Sequence, residues 1–356
     1  MSKPAVLFGG PSPEHDISVS TGLQAAHTLD APHAIYWAKT GGFHLVDPGS
    51  EVAEFADGVP RKAKELAFDL KPGGGFVLKR KPLDISVVVN CCHGGPGEDG
   101  TIQGAMDLAG YRYTGPGQAG SALGMDKLAF GASVSQLGLP TLPRMLLGPG
   151  VSPNFDGPYI VKPRFGGSSI GIEIVEDIDT ALALLKTSPH LGDGAVIEPY
   201  LERCRDLNVA VRTHPEPSCS NIEEPTKAGA GLYSYEQKYL NWGDGGAATN
   251  TVPADVDAGT AARLSDWALR VAAMVGARSV ARVDFLETPD GLYVNEINTI
   301  PGSLSIKLFV DPPLSRHELL AGMVDEALGW RPRAFSTAGA DGTALRNAAS
   351  IANKLG

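Results

Sequence analysis

The stretch "ARVDFLETPDGLYVNEINTIPG", from Ala281 to Gly302, sets two strand-like runs on either side of a Pro-Asp-Gly turn. A hairpin with a three-residue loop, Gly291 taking the left-handed position, places Asp284 opposite Glu296 and Arg282 opposite Asn298. Alternation along each strand then puts all four side chains on one face. Like charges facing each other destabilise a sheet, so the two acids call for a reason. Asp284, Glu296 and Asn298 are hard oxygen donors. Magnesium takes one or two carboxylates and completes its shell with substrate phosphates. Arg282 beside them could stabilise a developing oxyanion. The plainer alternative is a solvent-facing polar hairpin in which Arg282 pairs the acids.

A second candidate is "YIVKPRFGGSSIGIEIV", Tyr159 to Val175. Its glycine-serine loop offers backbone N–H groups to phosphate oxygens, and Lys162 stands where its ammonium could reach the same anion. In a P-loop the lysine follows the glycines and a helix follows the lysine. Here the lysine comes first and a strand follows, so the loop is a hairpin tip able to close as a lid. Taken alone, it is also an ordinary glycine-rich hairpin. Two further loops carry acids and histidines: "GGPSPEHDIS" with Glu14 and His15, and "HGGPGEDGTIQG" with His93, Glu98 and Asp99. Glu98 or Asp99 could equally cap the helix that begins at "TIQGAMDLAG".

The elements that position these groups follow from the apolar pattern. Residues 1 to 125 repeat strand, glycine loop, helix: "AVLFGG", "ISVSTGLQAAHTL", "ISVVVNCCHGG". This predicts an open, mostly parallel sheet with ligand contacts at strand ends. Residues 126–200 bring a helix, "KLAFGASVSQLG", before the lysine-glycine hairpin. Residues 201–335 bring strands, a long polar loop around "GLYSYEQKYLNWGDGG", a helix over about 260–275 and the acidic hairpin. A tail, 336–356, ends in "TALRNAASIANKL", which could form a surface helix.

A chain of 356 residues is long enough for two or three cores. The formal charge of −10 argues against nucleic acid or an anionic membrane as partner. The basic run "KRKP" at Lys79 to Pro82 reads as a solvated loop. No apolar run approaches the roughly 18 residues of a membrane span. The opening "MSKPAVLFGG" reads as a strand entering a loop, not as a signal peptide. Cys91, Cys92, Cys204 and Cys219 lack a metal-finger spacing. Free thiols in a reducing cytoplasm are the expectation.

Taken together, "GGPSPEHDIS", "HGGPGEDGTIQGAMDLAGYRYTG", "SALGMDK", "VKPRFGGSSIGIEIV", "YSYEQKY" and "RVDFLETPDGLYVNEINTIPG" occur in the order seen in D-alanine–D-alanine ligases, members of the ATP-grasp superfamily. The resemblance runs from Val6 to Leu328, and six spaced motifs in order are far more specific than any one. It implies α/β and α+β architecture: an N-terminal Rossmann-like parallel-sheet domain, a small central α+β domain and a C-terminal α+β domain, with ATP between the last two. It implies that ATP phosphorylates one amino acid's carboxylate and that a second amino acid's amine attacks the acyl phosphate. Lys127, Lys162, Ser169, Glu198, Asp206 and Lys238 correspond to ATP-side residues. Asp206 is shorter than the family's ribose-binding glutamate and follows a one-residue insertion. Asp284, Glu296 and Asn298 match the ligands of two magnesium ions, for which manganese could substitute. Arg282 and the Gly302 backbone match the oxyanion hole. Glu14 matches the acid that receives the first ammonium, linked in the family to the equivalents of Ser168 and Tyr239. His93 falls on the substrate side.

One position departs from the pattern. The family's acceptor-holding serine, followed by leucine, falls here on Lys307, followed by Leu308, with Ser305 nearby to take over. Three outcomes are therefore expected to compete: D-alanyl-D-alanine formation for peptidoglycan, a related ligase with another acceptor in secondary metabolism, and a regulatory protein that has lost catalysis. The last predicts erosion of the metal and phosphate positions, and there is none. The resemblance also implies a homodimer.

Overall fold

The computed structural model describes residues 2–226 and 250–348, organised around three sheets. Lys238, Tyr239 and the polar loop expected around them lie outside the described residues, as does the last part of the tail. The first sheet holds β1 (Lys3–Gly9), β2 (His33–Trp37), β3 (Phe43–Val46), β4 (Lys64–Asp69), β5 (Gly75–Leu78), β6 (Lys81–Pro82) and β7 (Ile85–Asn90), in the order β6-β5-β4-β3-β2-β1-β7. Only β1, β2 and β7 run parallel. From β2 onward the sheet is an antiparallel meander. The expectation of a mostly parallel sheet is thus corrected. The tight turn after β2, closed by the Ala38 N–H on the Gly42 carbonyl at 2.8 Å, is too short for a crossover and sends the chain straight back.

β8 (Met145–Leu147), β9 (Tyr159–Pro163), β10 (Glu173–Val175) and β11 (Ala195–Pro199) form the second sheet, in the order β10-β9-β11-β8. β12 (Arg205–Arg212), β13 (Ser218–Cys219), β14 (Val280–Thr288) and β15 (Gly291–Asn298) form the third, in the order β13-β12-β14-β15. Both are antiparallel throughout.

Helices that pack against these sheets include α1 (His15–Thr28), α2 (Lys127–Gln136), α3 (Ile178–Thr187), α4 (Ala258–Met274) and α5 (Arg316–Gly329). Alternation decides the third sheet. Leu207, Val209, Val283, Phe285, Val294 and Ile297 pack with Leu264 and Val271 of α4. Their neighbours Asn208, Arg282, Asp284, Glu296 and Asn298 line a cavity. Each large buried side chain contributes roughly 1.5–3 kcal/mol. A facing like-charge pair costs only about 0.2–1 kcal/mol. The apolar face therefore sets the register and the acids follow it.

The core under α1 is continuous with the end of the chain. Val6, Phe8, Val19 and Leu23 share it with Leu304, Leu308, Leu319 and Met323. The segment after residue 301 thus packs onto the first sheet as well as the third.

Candidate active site

A cavity of about 510 Å³ is lined by residues of the second and third sheets and by loop and helix residues that follow β1 and β7 of the first. Lys162 on β9 and Glu198 on β11 are diagonal cross-strand neighbours, since Lys162 faces Val196 and Glu198 faces Ile160. The Lys162 Nζ donates to Glu198 Oε2 at 2.7 Å, and the Arg144 Nε donates to Glu198 Oε1. Glu198 is fully buried. Burial alone would raise its pKa, but the charges of Lys162 and Arg144 hold the carboxyl below the usual range. Asp206, at the start of β12, also lines the cavity.

Lys127 opens α2, whose N-cap Asp126 accepts from the Leu128 and Ala129 N–H groups. The same Asp126 takes a bidentate pair from Arg164, at 2.8 and 2.6 Å, which fixes the root of the glycine-serine loop. The Lys127 Nζ donates to the Gly166 carbonyl and lies 3.4 Å from Glu296. At the loop tip Ser168 and Ser169 take φ of 52° and 60°, a left-handed conformation rare for residues with a Cβ.

The acidic hairpin has the expected pairs, Arg282 with Asn298 and Asp284 with Glu296. Its route to them differs. Thr288 pairs with Gly291, so the loop has two residues, and a bulge between Asp284 and Phe285 leaves Asn295 unpaired. The shorter loop and the bulge shift the register by one residue each, in opposite senses. Bulges re-aim side chains. Here the bulged Asn295 lines the cavity, takes the Arg144 NH2 on its carbonyl at 3.1 Å and lies 3.4 Å from the Lys162 Nζ. Arg282 grips Asp284 through two bonds of 2.6 and 2.7 Å, and the Asn298 Nδ2 donates to Asp284 at 3.0 Å. That bond uses the amide's nitrogen and leaves its oxygen as a donor atom for a cation. Among the described residues no cluster of three or more His, Cys, Asp or Glu forms a metal cage. Two carboxylates and one carboxamide oxygen suit a hard divalent cation that shares phosphate oxygens.

Glu14, at the N-cap of α1, makes no capping bond. Its carboxylate instead accepts the Ser168 hydroxyl across the cavity. Gly94 and Gly167 make room for it: a Cβ there would come within 2.3 and 2.9 Å of Glu14 Oε2. Glu98 does not cap a helix. It is buried and accepts from the Gly94 N–H at 3.0 Å, the Thr299 hydroxyl at 3.1 Å and the Ile300 N–H at 2.8 Å. Burial, then the nearby Glu14 charge, push its carboxyl up to about 7. Asp99 makes the local helix-start bond, to the Thr101 N–H at 2.8 Å. Both ring nitrogens of His93 are engaged, at 2.6 Å with the Ile300 carbonyl and 2.8 Å with the Thr21 hydroxyl. Burial pushes the ring's pKa down to about 4.

Gly302, Ser303 and Lys307 line the cavity, whereas Ser305 and Leu308 are buried outside its lining, Leu308 in the core under α1. The turn explains the difference. Ser303, Leu304 and Ser305 all have positive φ, near 50°, which winds Ser305 inward. Lys307 donates to Glu223 Oε1 at 2.6 Å; its side chain is 61% exposed and that of Glu223 only 3%. Glu223 also accepts from Asn208 at 3.0 Å and Asn250 at 2.7 Å. Burial would raise its pKa, but Lys307 first, then Arg282 and Asn208, hold the carboxyl below its usual range.

Arg144, Asn295, Glu223, Asn208 and Thr21 were not expected from the sequence. Arg144 follows "LP" in a loop, Asn295 depends on a bulge, and Thr21 sits among small residues of an apolar helix. "IEEP" held the one visible signal, an acid beside an isoleucine that is itself core.

A lysine-bearing antiparallel hairpin sheet, a second sheet with an acidic hairpin, and a shared cavity define an ATP-grasp ligase. The chain belongs to the D-alanine–D-alanine ligase family: residues 3–116 match the family's "D-ala D-ala ligase N-terminus" and residues 150–314 its "D-ala D-ala ligase C-terminus". It is 33% identical over 380 aligned residues to the D-alanine–D-alanine ligase of Methylobacterium sp. (strain 4-46), covering 98% of this chain and 96% of that one. It is 34% identical over 365 residues to the corresponding ligase of Mycolicibacterium smegmatis, covering 91% and 95%. The D-alanine-D-alanine ligase structure from Coxiella burnetii superposes with a TM-score of 0.75 at 25% identity, over 91% of this chain and 93% of that one. No described helix is long and apolar enough to cross a membrane.

Proposed function

We propose that the protein joins two D-alanine molecules in a reaction driven by ATP, forming D-alanyl-D-alanine for peptidoglycan. The observation that carries this reading is the shared cavity: it gathers the two lysines, the acidic hairpin and the Glu14–Ser168 pair in one space. Leu142, Ile160, Ile172, Leu201 and Leu286 line it too and suit an adenine ring. Asp206 is assigned to the ribose, Ser169 and Lys238 to the phosphate side. Lys127 and Lys162 hold phosphate oxygens, where charge is spread during transfer. Asp284, Glu296 and Asn298 would hold two magnesium ions, whose charge offsets that of the phosphates and eases attack on phosphorus. Glu14 receives the first amino acid's ammonium. The carboxylate oxygen attacks the γ-phosphorus, the bond to the β-phosphate oxygen breaks, ADP is released, and the resulting acyl phosphate is a good electrophile. The second amine attacks its carbonyl, Arg282 and the Gly302 N–H meet the oxyanion, and phosphate leaves. Tyr239 is retained, so the product is a peptide and hydroxy acids are poor acceptors. A cytoplasmic homodimer, with domains at 1–125, 126–200 and 201–335, completes the reading.

A second reading rests on Lys307, a cation on the cavity wall where the family pattern has serine: the same chemistry with a different acceptor, in secondary metabolism. One experiment separates the two. Purified protein is given ATP, magnesium and pairs of D- and L-amino acids, with phosphate release and product mass read together. D-alanine alone should support phosphate release and a dipeptide. Silence with D-alanine but turnover with another acceptor selects the second reading, and silence with every pair sinks both.

A further inference from the structure

We propose that Thr21, on α1, is a positioning residue for peptide-bond formation: it holds the turn that carries Gly302 and, through His93, ties that turn to the strand-end loop of the first sheet. The proposal rests on the function above. Thr21 is buried, and its hydroxyl joins two bonds whose directions are forced. The Ile300 carbonyl can only accept, so the neutral His93 ring carries its proton on Nδ1 and presents Nε2 as an acceptor. The Thr21 hydroxyl must therefore donate to Nε2, at 2.8 Å. Its oxygen in turn accepts the Ser303 N–H at 3.0 Å. On the other flank Glu98 Oε1 accepts from the Ile300 N–H at 2.8 Å. The backbone on both sides of Gly302 is thus fixed by Thr21, His93 and Glu98, none of which belongs to the turn.

The turn needs such tethers. Ser303, Leu304 and Ser305 have φ of 48°, 55° and 51°, a left-handed run that residues with a Cβ do not hold unaided. A turn released from Thr21 would relax, and the Gly302 N–H would drift from the place where the oxyanion forms. Misplaced donors cost rate, whereas ATP is gripped elsewhere in the cavity.

The test is steady-state kinetics of Thr21→Val, which keeps the shape and removes the hydroxyl, beside Thr21→Ser, which keeps the hydroxyl. T21V should lose about tenfold or more in kcat, with the KM for ATP within about twofold of wild type, and T21S should restore kcat. Thr21→Ala gives a second removal of the hydroxyl, with melting temperature followed on all three. Wild-type kcat in T21V, an equal loss in T21S, or a kcat that falls only in step with the folded fraction overturns the proposal. A wild-type enzyme that makes no peptide would instead sink the function it rests on.

Discussion

The hairpin over 280–298 and the turn over 299–308 are adjacent in the chain and line the same cavity, yet they are built in opposite ways. In the hairpin, position comes from a repeating rule: Val283 and Phe285 face α4, so Arg282 and Asp284 face the cavity. The turn obeys no repeat. Three consecutive left-handed residues set its path, and Thr21, His93 and Glu98 hold it from more than two hundred residues away. A site on a sheet inherits the stability of the core beneath it. A site on a tethered turn depends on each tether, and it can change its side chains without disturbing a core. The groups proposed for the metal stand on the regular strands β14 and β15, and Lys162 stands on β9; of the groups proposed for the acceptor side, Gly302 and Lys307 stand on the turn.

The largest expected effect tests the hairpin. Glu296→Gln keeps size and register but removes one of the two carboxylates proposed for the metal. Peptide formation should fall on the order of a hundredfold or more. The fold should be unchanged, because the apolar face, not the acids, sets the pairing. Circular dichroism and dipeptide formation are read together. Undiminished turnover would remove Glu296 from the site, and a lost fold would show that the acids, too, hold the hairpin.

The same contrast governs what could be read from the sequence. The pairs Asp284–Glu296 and Arg282–Asn298 were legible because alternation and a turn signal suffice for them. The two-residue loop and the bulge at Asn295 were not, since they cancel and leave those pairs as they would be without either. The parallel strands β1 and β7 announced themselves as unbroken apolar runs. The antiparallel meander between them was hidden, because β3 to β6 are short and half exposed. At the turn, nothing local marks Ser303, Leu304 and Ser305 as left-handed: there is no glycine among them. Ser305, expected as the nearby alternative to Lys307 at the acceptor, is found wound into the interior.

A smaller effect probes the tethers. His93 and Glu98 hold Ile300 from opposite sides and are displaced in opposite senses. Burial lowers the pKa of the folded His93 ring from 6.5 to about 4. Between those values the unfolded chain binds a proton that the folded one does not. Stability from His93 is full above 6.5 and is lost as the pH falls toward about 4. Burial and Glu14 raise Glu98 to about 7 from 4.5, so the folded chain binds the extra proton. Its contribution is full below 4.5 and is lost as the pH rises toward about 7. Where the windows overlap, the two slopes oppose. Relative to wild type, urea stability should climb more steeply with pH in Glu98→Gln and less steeply in His93→Gln. Each change should stay below about 1.4 kcal/mol per pH unit. Parallel curves for all three proteins would mean that neither group titrates differently on folding.

The smallest effect belongs to Lys307, at the far end of the turn. Its ammonium already pairs with Glu223, which is buried and further satisfied by Asn208 and Asn250. The pair as a whole is neutral, so it draws an anion less than a lone lysine would. An ammonium has three donors, however, and Glu223 takes one of them. The side chain is also largely exposed to the cavity, so an acceptor carboxylate can share it. A charge-assisted contact is worth about 1.5–3 kcal/mol when unshared. Sharing places the expectation at the low end: Lys307→Ala should raise the acceptor KM about tenfold, or about 1.4 kcal/mol. The KM for ATP should hardly move, because the strands that carry Lys162 and the acidic hairpin are untouched. Glu223→Gln sharpens the test by releasing Lys307 from its partner, and its acceptor KM should fall or hold. If K307A leaves both the acceptor KM and the choice of acceptor unchanged, Lys307 serves only to neutralise Glu223. The reading with a different acceptor then loses its support.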